Sequence, residues 1–173
     1  MKTNLIKLNS FSEIPTFRTF ISLVLFITLF TQNACAQDNA KANPSELLHS
    51  YLDIKNDLVS GNAADASLKA TEFVKTLNGI DSKAMTPATH NALLKHATAI
   101  AEGKNITHQR EDFATLSVNM FILAKTMKLS EQPLYYDYCS MKKAYWLSSE
   151  SAIKNPYYGK MMLTCGQVTD TIK

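Results

Sequence analysis

Apolar residues recur at intervals of three and four along most of this chain, which is the spacing of one face of an α-helix. Four such stripes lie between residues 44 and 127. The first follows Asn43-Pro44-Ser45-Glu46, which combines a capping residue, proline at the first helical position and an acid three residues after the cap. The next three are expected to begin after Asn62, at Thr86-Pro87 and at Thr107. Glycines typical of helix ends separate the stripes, at Gly61, Gly79 and Gly103.

This pattern predicts an all-α protein, an up-down four-helix bundle with a compact, mostly irregular C-terminal appendage over residues 133–173. The appendage holds six of the 7 tyrosines and the single tryptophan. Leu134 to Tyr138 favours extended structure, so one short hairpin fits the appendage. Asn155-Pro156 marks a turn, and Ser148–Lys154 is compatible with a short helix.

The first 36 residues have the features of an export signal. A basic leader precedes an apolar run of eleven residues, Phe20 to Phe30, and Ala34-Cys35-Ala36 supplies the small residues of a peptidase site. The predicted organisation is a signal peptide over 1–36, a disordered lead-in over 37–43 and a single domain over 44–173. This organisation indicates an exported protein.

A lipid anchor on Cys35 is the alternative to signal-peptide removal. It is disfavoured because Gln32-Asn33-Ala34 lacks the aliphatic residue that lipoprotein signals usually carry three positions before the cysteine. The apolar run is shorter than the roughly 18 residues of a membrane-spanning helix, so no membrane span is expected in the mature chain. Cleavage would change the formal net charge from +3 to +1. So small a charge is not the footprint of a nucleic-acid-binding protein.

Two sulfur clusters near the end of the chain are the strongest candidates for chemistry. Cys139 and Met141 lie two residues apart, so both point to the same face of an extended segment. Met162 and Cys165 lie three apart, which places them on one side of a helical turn. Thiolates and thioethers are the ligands that select Cu(I), whereas thioether is not a usual zinc ligand. The spacing therefore favours a Cu(I) site and a Cys139–Cys165 disulfide about equally.

Other kinds of site have little support in the sequence. There is no G-x-S-x-G elbow, no glycine-rich phosphate loop and no H-E-x-x-H run, so an enzyme is not expected. The four histidines form no pair at metal-binding spacing, although one of them is a candidate to complete a site that the cysteines begin.

Three stretches resemble a domain family of unknown function from exported Gram-negative proteins, found alone or fused behind periplasmic adaptor subunits of copper/silver efflux systems. They are Tyr51–Val59, Gln109–Ser117, and the ordered block Cys139-x-Met141, Trp146-Leu147, Asn155-Pro156-Tyr157 and Met162-Leu163-x-Cys165-Gly166. The resemblance extends over residues 44–172. It departs from the family pattern at Ser140, where a proline is common, and in the short segment from Met141 to Trp146.

The resemblance implies a non-enzymatic periplasmic protein, of the exported Gram-negative type, that binds a soft metal ion, chiefly copper, in metal efflux or homeostasis. Its metal ligands would be Cys139, Met141, Met162 and Cys165, and an efflux adaptor or another envelope protein would be its partner. The alternative expectation is a disulfide-stapled helical interaction module that binds no metal.

Overall fold

A computed structural model of the protein describes residues 42–81 and 83–173. The predicted signal peptide, Cys35 and most of the lead-in lie outside the described residues. Four helices follow one another: α1 (Pro44–Ser60), α2 (Ala63–Gly79), α3 (Pro87–Glu102) and α4 (Ile106–Thr126). Each packs against its successor, and α1 also contacts α4, so the predicted helical bundle is confirmed.

The helix starts follow local capping chemistry. Asn43, Asn62 and Thr86 each accept a hydrogen bond from a backbone N–H of the first turn, as their positions in the sequence predicted. The fourth helix begins earlier than expected, because its cap is Asn105 and not Thr107. The Asn105 side chain accepts from the backbone N–H of Thr107 at 2.8 Å, and asparagine is at least as good a cap as threonine.

The apolar stripes of the four helices meet in one core. Each large side chain removed from water there contributes about 1.5–3 kcal/mol. The aromatic rings of Tyr51 and Phe113 stack at its centre, with ring centroids 5.1 Å apart. The completely buried members include Leu47, Ile54, Leu58, Phe73, Leu77, Leu93, Ile100, Leu116 and Met120.

The C-terminal part forms a sheet, so the chain is not the purely all-α protein that was expected. Strands β1 (Leu134–Cys139), β2 (Ala144–Ser148) and β3 (Gln167–Ile172) make an antiparallel sheet in the order β2-β1-β3. The β1–β2 hairpin was foreseen, but β3 was not. Its pairing with β1 spans some thirty residues of chain, and its own sequence is mostly polar and exposed.

Residues 148–154 do not form the short helix that the sequence allowed. Ser148 ends β2, and its side-chain oxygen accepts from the backbone N–H of Glu150, so the chain bends there. The only helical turn described after β2 is a 3-10 turn over Gly159–Met161.

Specific polar and aromatic contacts hold the sheet on the bundle. The Tyr51 hydroxyl bonds to the Ser117 hydroxyl at 2.7 Å and accepts from the Leu147 backbone N–H at 3.0 Å, joining α1, α4 and β2. The rings of Phe121 and Tyr136 stack, with centroids 3.7 Å apart. Within the described residues, no helix is both long and apolar enough to cross a bilayer.

Candidate functional site

The fold brings the two distant cysteines together. Cys139 is the last residue of β1, and Cys165 lies two residues before β3. Because β1 and β3 are neighbours in the sheet, these two points meet at one end of it. The two Sγ atoms are 3.3 Å apart and not bonded to each other, so both thiols are free. Cys139 is completely buried, whereas Cys165 is partly exposed.

The surroundings of the pair give the two thiols different acidities. Burial acts to raise the pKa of Cys139, but hydrogen bonds from the Lys142 backbone N–H, the Cys165 thiol, the Asn155 amide and the Met141 backbone N–H outweigh it and lower that pKa. The pKa of Cys165 is raised, chiefly because its thiol hydrogen-bonds to Cys139. In the first ionisation of the pair, Cys139 is therefore the thiolate and Cys165 the thiol that donates to it.

The tip of the β1–β2 hairpin supplies two of the hydrogen-bond donors that lower the pKa of Cys139. Four residues, Ser140 to Lys143, connect the paired positions Cys139 and Ala144. Lys143 closes the turn in the left-handed region, at φ 56°, a conformation that costs a non-glycine residue free energy and is frequent at functional sites. The turn directs the backbone N–H groups of Met141 and Lys142 at the Cys139 sulfur.

Asn155 binds the loop before β3 next to the thiol pair, a role that the sequence did not predict. It is completely buried, and its amide N–H₂ donates to the backbone oxygen of Cys165 at 2.6 Å. Its side-chain oxygen accepts from the backbone N–H groups of Tyr157 at 2.8 Å and Tyr158 at 3.3 Å. In the sequence, Asn155-Pro156 marked a turn and formed part of the resembling block, but its role was not foreseen, because the partners of a buried polar side chain are not visible in the local pattern.

The methionines lie on elements different from the expected ones. β1 ends at Cys139, so Met141 belongs to the hairpin turn and not to an extended segment, and its side chain is 64% exposed. Met162 is half-buried after the 3-10 turn, and its backbone oxygen accepts from the Cys165 N–H at 3.1 Å. Met161 is 79% exposed. The two methionines therefore belong to separate loops whose backbones adjoin the thiols, through the Met141 N–H and the Met162 oxygen.

Three of the four histidines lie near acids elsewhere on the helices. His96 bonds to Asp112 at 2.9 Å on α3 and α4, while His49 and His108 lie near acids of their own helices. Among the described residues, no group of three or more His, Cys, Asp or Glu side chains is arranged to hold a metal ion.

Two buried ionisable side chains, Asp137 and Lys55, lie in the part of the fold that carries the thiols. Asp137 is two residues before Cys139 in β1, is completely buried, and has no hydrogen-bond partner for either carboxylate oxygen among the described residues. Burial raises the pKa of Asp137 to about 7, although Lys55 and the nearby Trp146 indole act to lower it. The Trp146 N–H lies close to that carboxylate but makes no hydrogen bond of normal geometry with it.

Lys55 is the cationic side of this pair. It is 2% exposed, and its Nζ is 3.5 Å from the Ser148 hydroxyl. Burial lowers the pKa of Lys55, so the surroundings disfavour the charged form of each partner. The sequence carried one signal of this arrangement, since Asp137 is the only charged residue in the aromatic strand Leu134–Cys139.

The fold and the site together define a class: a four-helix domain with a C-terminal three-stranded sheet that carries a pair of free, hydrogen-bonded thiols. Residues 47–132, just under half of the chain, match the model of a family described as "Protein of unknown function (DUF3347)", which indicates a domain of unknown function there. The match covers the helices and ends before β1, and the sulfur residues lie outside it. No curated protein and no solved structure matches the chain.

Proposed function

We propose that this is a periplasmic, non-enzymatic protein that binds a soft metal ion, Cu(I), through Cys139 and Cys165. Met141 and Met162 are its thioether ligands, and its role is in metal efflux or homeostasis. The observation that carries the proposal is the 3.3 Å separation of two free sulfurs, one of them in a cradle that lowers its thiol pKa. A metal binds the thiolate form, so a lowered pKa favours binding at neutral pH.

The geometry requires a small opening of the pair on binding. With metal–sulfur bonds of about 2.3 Å, a length taken from zinc thiolates, two sulfurs lie about 4.6 Å apart in a linear site and about 4.0 Å apart in a trigonal one. The pair must therefore widen from 3.3 Å. Cys139 ends a paired strand, whereas Cys165 lies in a loop, so the movement falls on the loop that carries Cys165 and Met162.

Competition for Cu(I) tests the proposal. The reduced protein is titrated without oxygen against a chromogenic Cu(I) chelator. We expect Cys139→Ser with Cys165→Ser to weaken binding by at least about a hundredfold, because two thiolates supply most of the soft-ligand affinity. Met141→Leu or Met162→Leu should weaken it by about tenfold, and Met85→Leu, a half-buried methionine of the α2–α3 connection, should leave it unchanged. Wild-type affinity in the double cysteine variant would refute the proposal.

A second candidate is a helical interaction module stapled by a Cys139–Cys165 disulfide. The same 3.3 Å contact between a thiolate and a thiol supports it. An external two-electron oxidant, such as another disulfide, would take two electrons from the pair while the thiol releases its one proton, and the sulfurs would close to about 2.05 Å. By the loop-entropy account, the bridge would add about 3–4 kcal/mol of stability. Intact-mass measurement on protein isolated from the periplasm separates the two candidates. A mass lower by two hydrogens, with no Cu(I) binding after reduction, favours the staple.

A further inference from the structure

The surface around the thiol pair combines exposed sulfur-bearing apolar side chains with lysines. Three of its side chains are unusually exposed for large apolar residues: Met141 at 64%, Met161 at 79% and Leu163 at 39%. They belong to the hairpin tip and to the segment just before Cys165. These two loops meet at the site, because the Met141 backbone N–H is a hydrogen-bond donor to both sulfurs.

Three lysines border the same loops without neutralising partners. Lys142 and Lys143 lie in the hairpin tip, and Lys160 lies in the 3-10 turn. None of the three forms an ion pair with any residue in the described part of the chain, unlike Lys69, Lys125, Lys128 and Lys154. The surface is therefore a cationic rim around exposed thioethers. Its complement in charge is an acidic surface.

The burial of Cys139 fixes the direction from which an ion reaches the site. Cys139 has no exposed surface, whereas Cys165 is partly exposed and Met141 is largely exposed. An ion from outside therefore meets Met141 and Cys165 before Cys139. A thioether is a weaker, more exchangeable ligand than a thiolate, so this order suits ligand-by-ligand transfer from another sulfur site.

We propose that the surface formed by Met141, Met161, Leu163, Lys142, Lys143 and Lys160 docks an acidic, methionine-bearing protein that delivers Cu(I) to the thiol pair. This rests on the proposed function. A second copy of the chain is not the occupant, because a symmetric contact would bring three unpaired lysines against three more. Like-charge contacts of that kind weaken association, whereas acidic partners are steered toward such a rim.

The test uses two synthetic Cu(I)-loaded peptides as probes. Each carries two methionines, flanked in one peptide by Asp and Glu and in the other by Asn and Gln. The transfer rate to the reduced protein is followed by stopped-flow absorbance of the thiolate–Cu(I) bands. We expect transfer from the acidic peptide to be about tenfold faster at low salt, and the difference to shrink as salt screens it.

Two variants that each lose three lysines test whether the preference for the acidic peptide comes from this surface. Lys142→Gln, Lys143→Gln and Lys160→Gln together should abolish the preference for the acidic peptide. The control combines Lys75→Gln, Lys95→Gln and Lys104→Gln. It removes the same charge from exposed lysines on and after α2 and α3, and should keep the preference. Equilibrium Cu(I) affinity is measured with the neutral chelator in both variants, so that transfer rates are compared only between proteins whose thiol pair still binds the ion.

The outcomes separate this proposal from the proposed function. Equal transfer rates from the two peptides, with Cu(I) still bound tightly at equilibrium, would overturn the docking surface and leave the metal site standing. No Cu(I) binding from either peptide or from the chelator would overturn both. Lysine-dependent binding to vesicles of anionic phospholipid, without any preference between the peptides, would assign the rim to a membrane surface. A lysine-dependent dimer in solution would assign it to a second copy.

Discussion

Replacing Asn155 by Asp tests whether the thiolate of Cys139 depends on a buried amide. The change keeps the side chain's size and the oxygen that accepts from the loop N–H groups. It replaces the amide nitrogen, which donates to the Cys165 backbone oxygen at 2.6 Å and to the Cys139 sulfur, by an oxygen that cannot donate when ionised. A buried carboxylate would then face a carbonyl oxygen and a thiolate.

The expected loss of stability and the expected shift of the thiol pKa follow from these contacts. An acceptor left without its donor costs about 1–3 kcal/mol, and a poorly solvated charge adds to that cost. We expect Asn155→Asp to lower the free energy of unfolding by about 2–4 kcal/mol at neutral pH. Two like charges about 4 Å apart at an effective dielectric constant of about 20 repel by several kcal/mol, so the first thiol pKa should rise by at least about one unit.

The sign of the pH dependence is a separate check. The new carboxyl has a raised pKa in the folded state, so the folded protein retains a proton that the unfolded chain releases. Stability relative to wild type should therefore be nearly restored below the unfolded carboxyl pKa of about 4 and should fall as pH rises toward the folded value. When protonated, the carboxyl again donates to the Cys165 oxygen.

Two measurements decide this prediction. Urea denaturation between mildly acidic and mildly basic pH gives the stability, and the ultraviolet absorbance of the thiolate gives the first ionisation of the pair. Asn119→Asp is the matched control, because its amide also donates to a backbone oxygen, at 2.9 Å, but at the surface. If Asn155→Asp behaves like Asn119→Asp in both measurements, Asn155 does not hold the thiolate and the reasoning is wrong.

Three further predictions concern the packing that presents the site. The pKa of Asp137 is raised to about 7, so the stability of the wild-type protein should fall as pH rises from about 4 to 7. This group should contribute no more than about 1.4 kcal/mol per pH unit to the fall. Asp137→Asn should remove that contribution, as measured by urea denaturation at each pH. Tyr51→Phe removes the hydroxyl that joins α1, α4 and β2, and it should lower the free energy of unfolding by about 1–3 kcal/mol. Tyr158→Phe is the control, because its hydroxyl has no partner among the described residues, and it should lower that free energy by less than about 0.5 kcal/mol. Thermal unfolding measures both. Gly159→Ala and Gly61→Ala both put alanine at positive φ, but only at Gly159 would the new Cβ lie 2.8 Å from a backbone oxygen of α1. Gly159→Ala should therefore lower the free energy of unfolding by at least about 1 kcal/mol more than Gly61→Ala does. Equal losses would show that the turn before Met162 is not seated on α1.

The helices were predictable because their signals are local. A cap such as Asn43 and an apolar stripe such as the one around Tyr51 act within a few residues, and the structure has both where the sequence placed them. Asn105 took the place of Thr107 because two good caps lay two residues apart, and only the packed helix selects between them. The β1–β2 hairpin was also local. Strand β3 was missed because its partner is distant and its own pattern is polar.

The chain's sequence determined by itself which residues carry soft-ligand chemistry: Cys139, Cys165 and the methionines beside them. Only the tertiary structure decided that the two sulfurs stand 3.3 Å apart and that Cys139 is the more acidic. The physical reason is that the contact depends on the pairing of β1 with β3, across a long loop, and the acidity depends on donors from three separate turns. Neither the pairing nor the donors leave a periodic trace in the sequence.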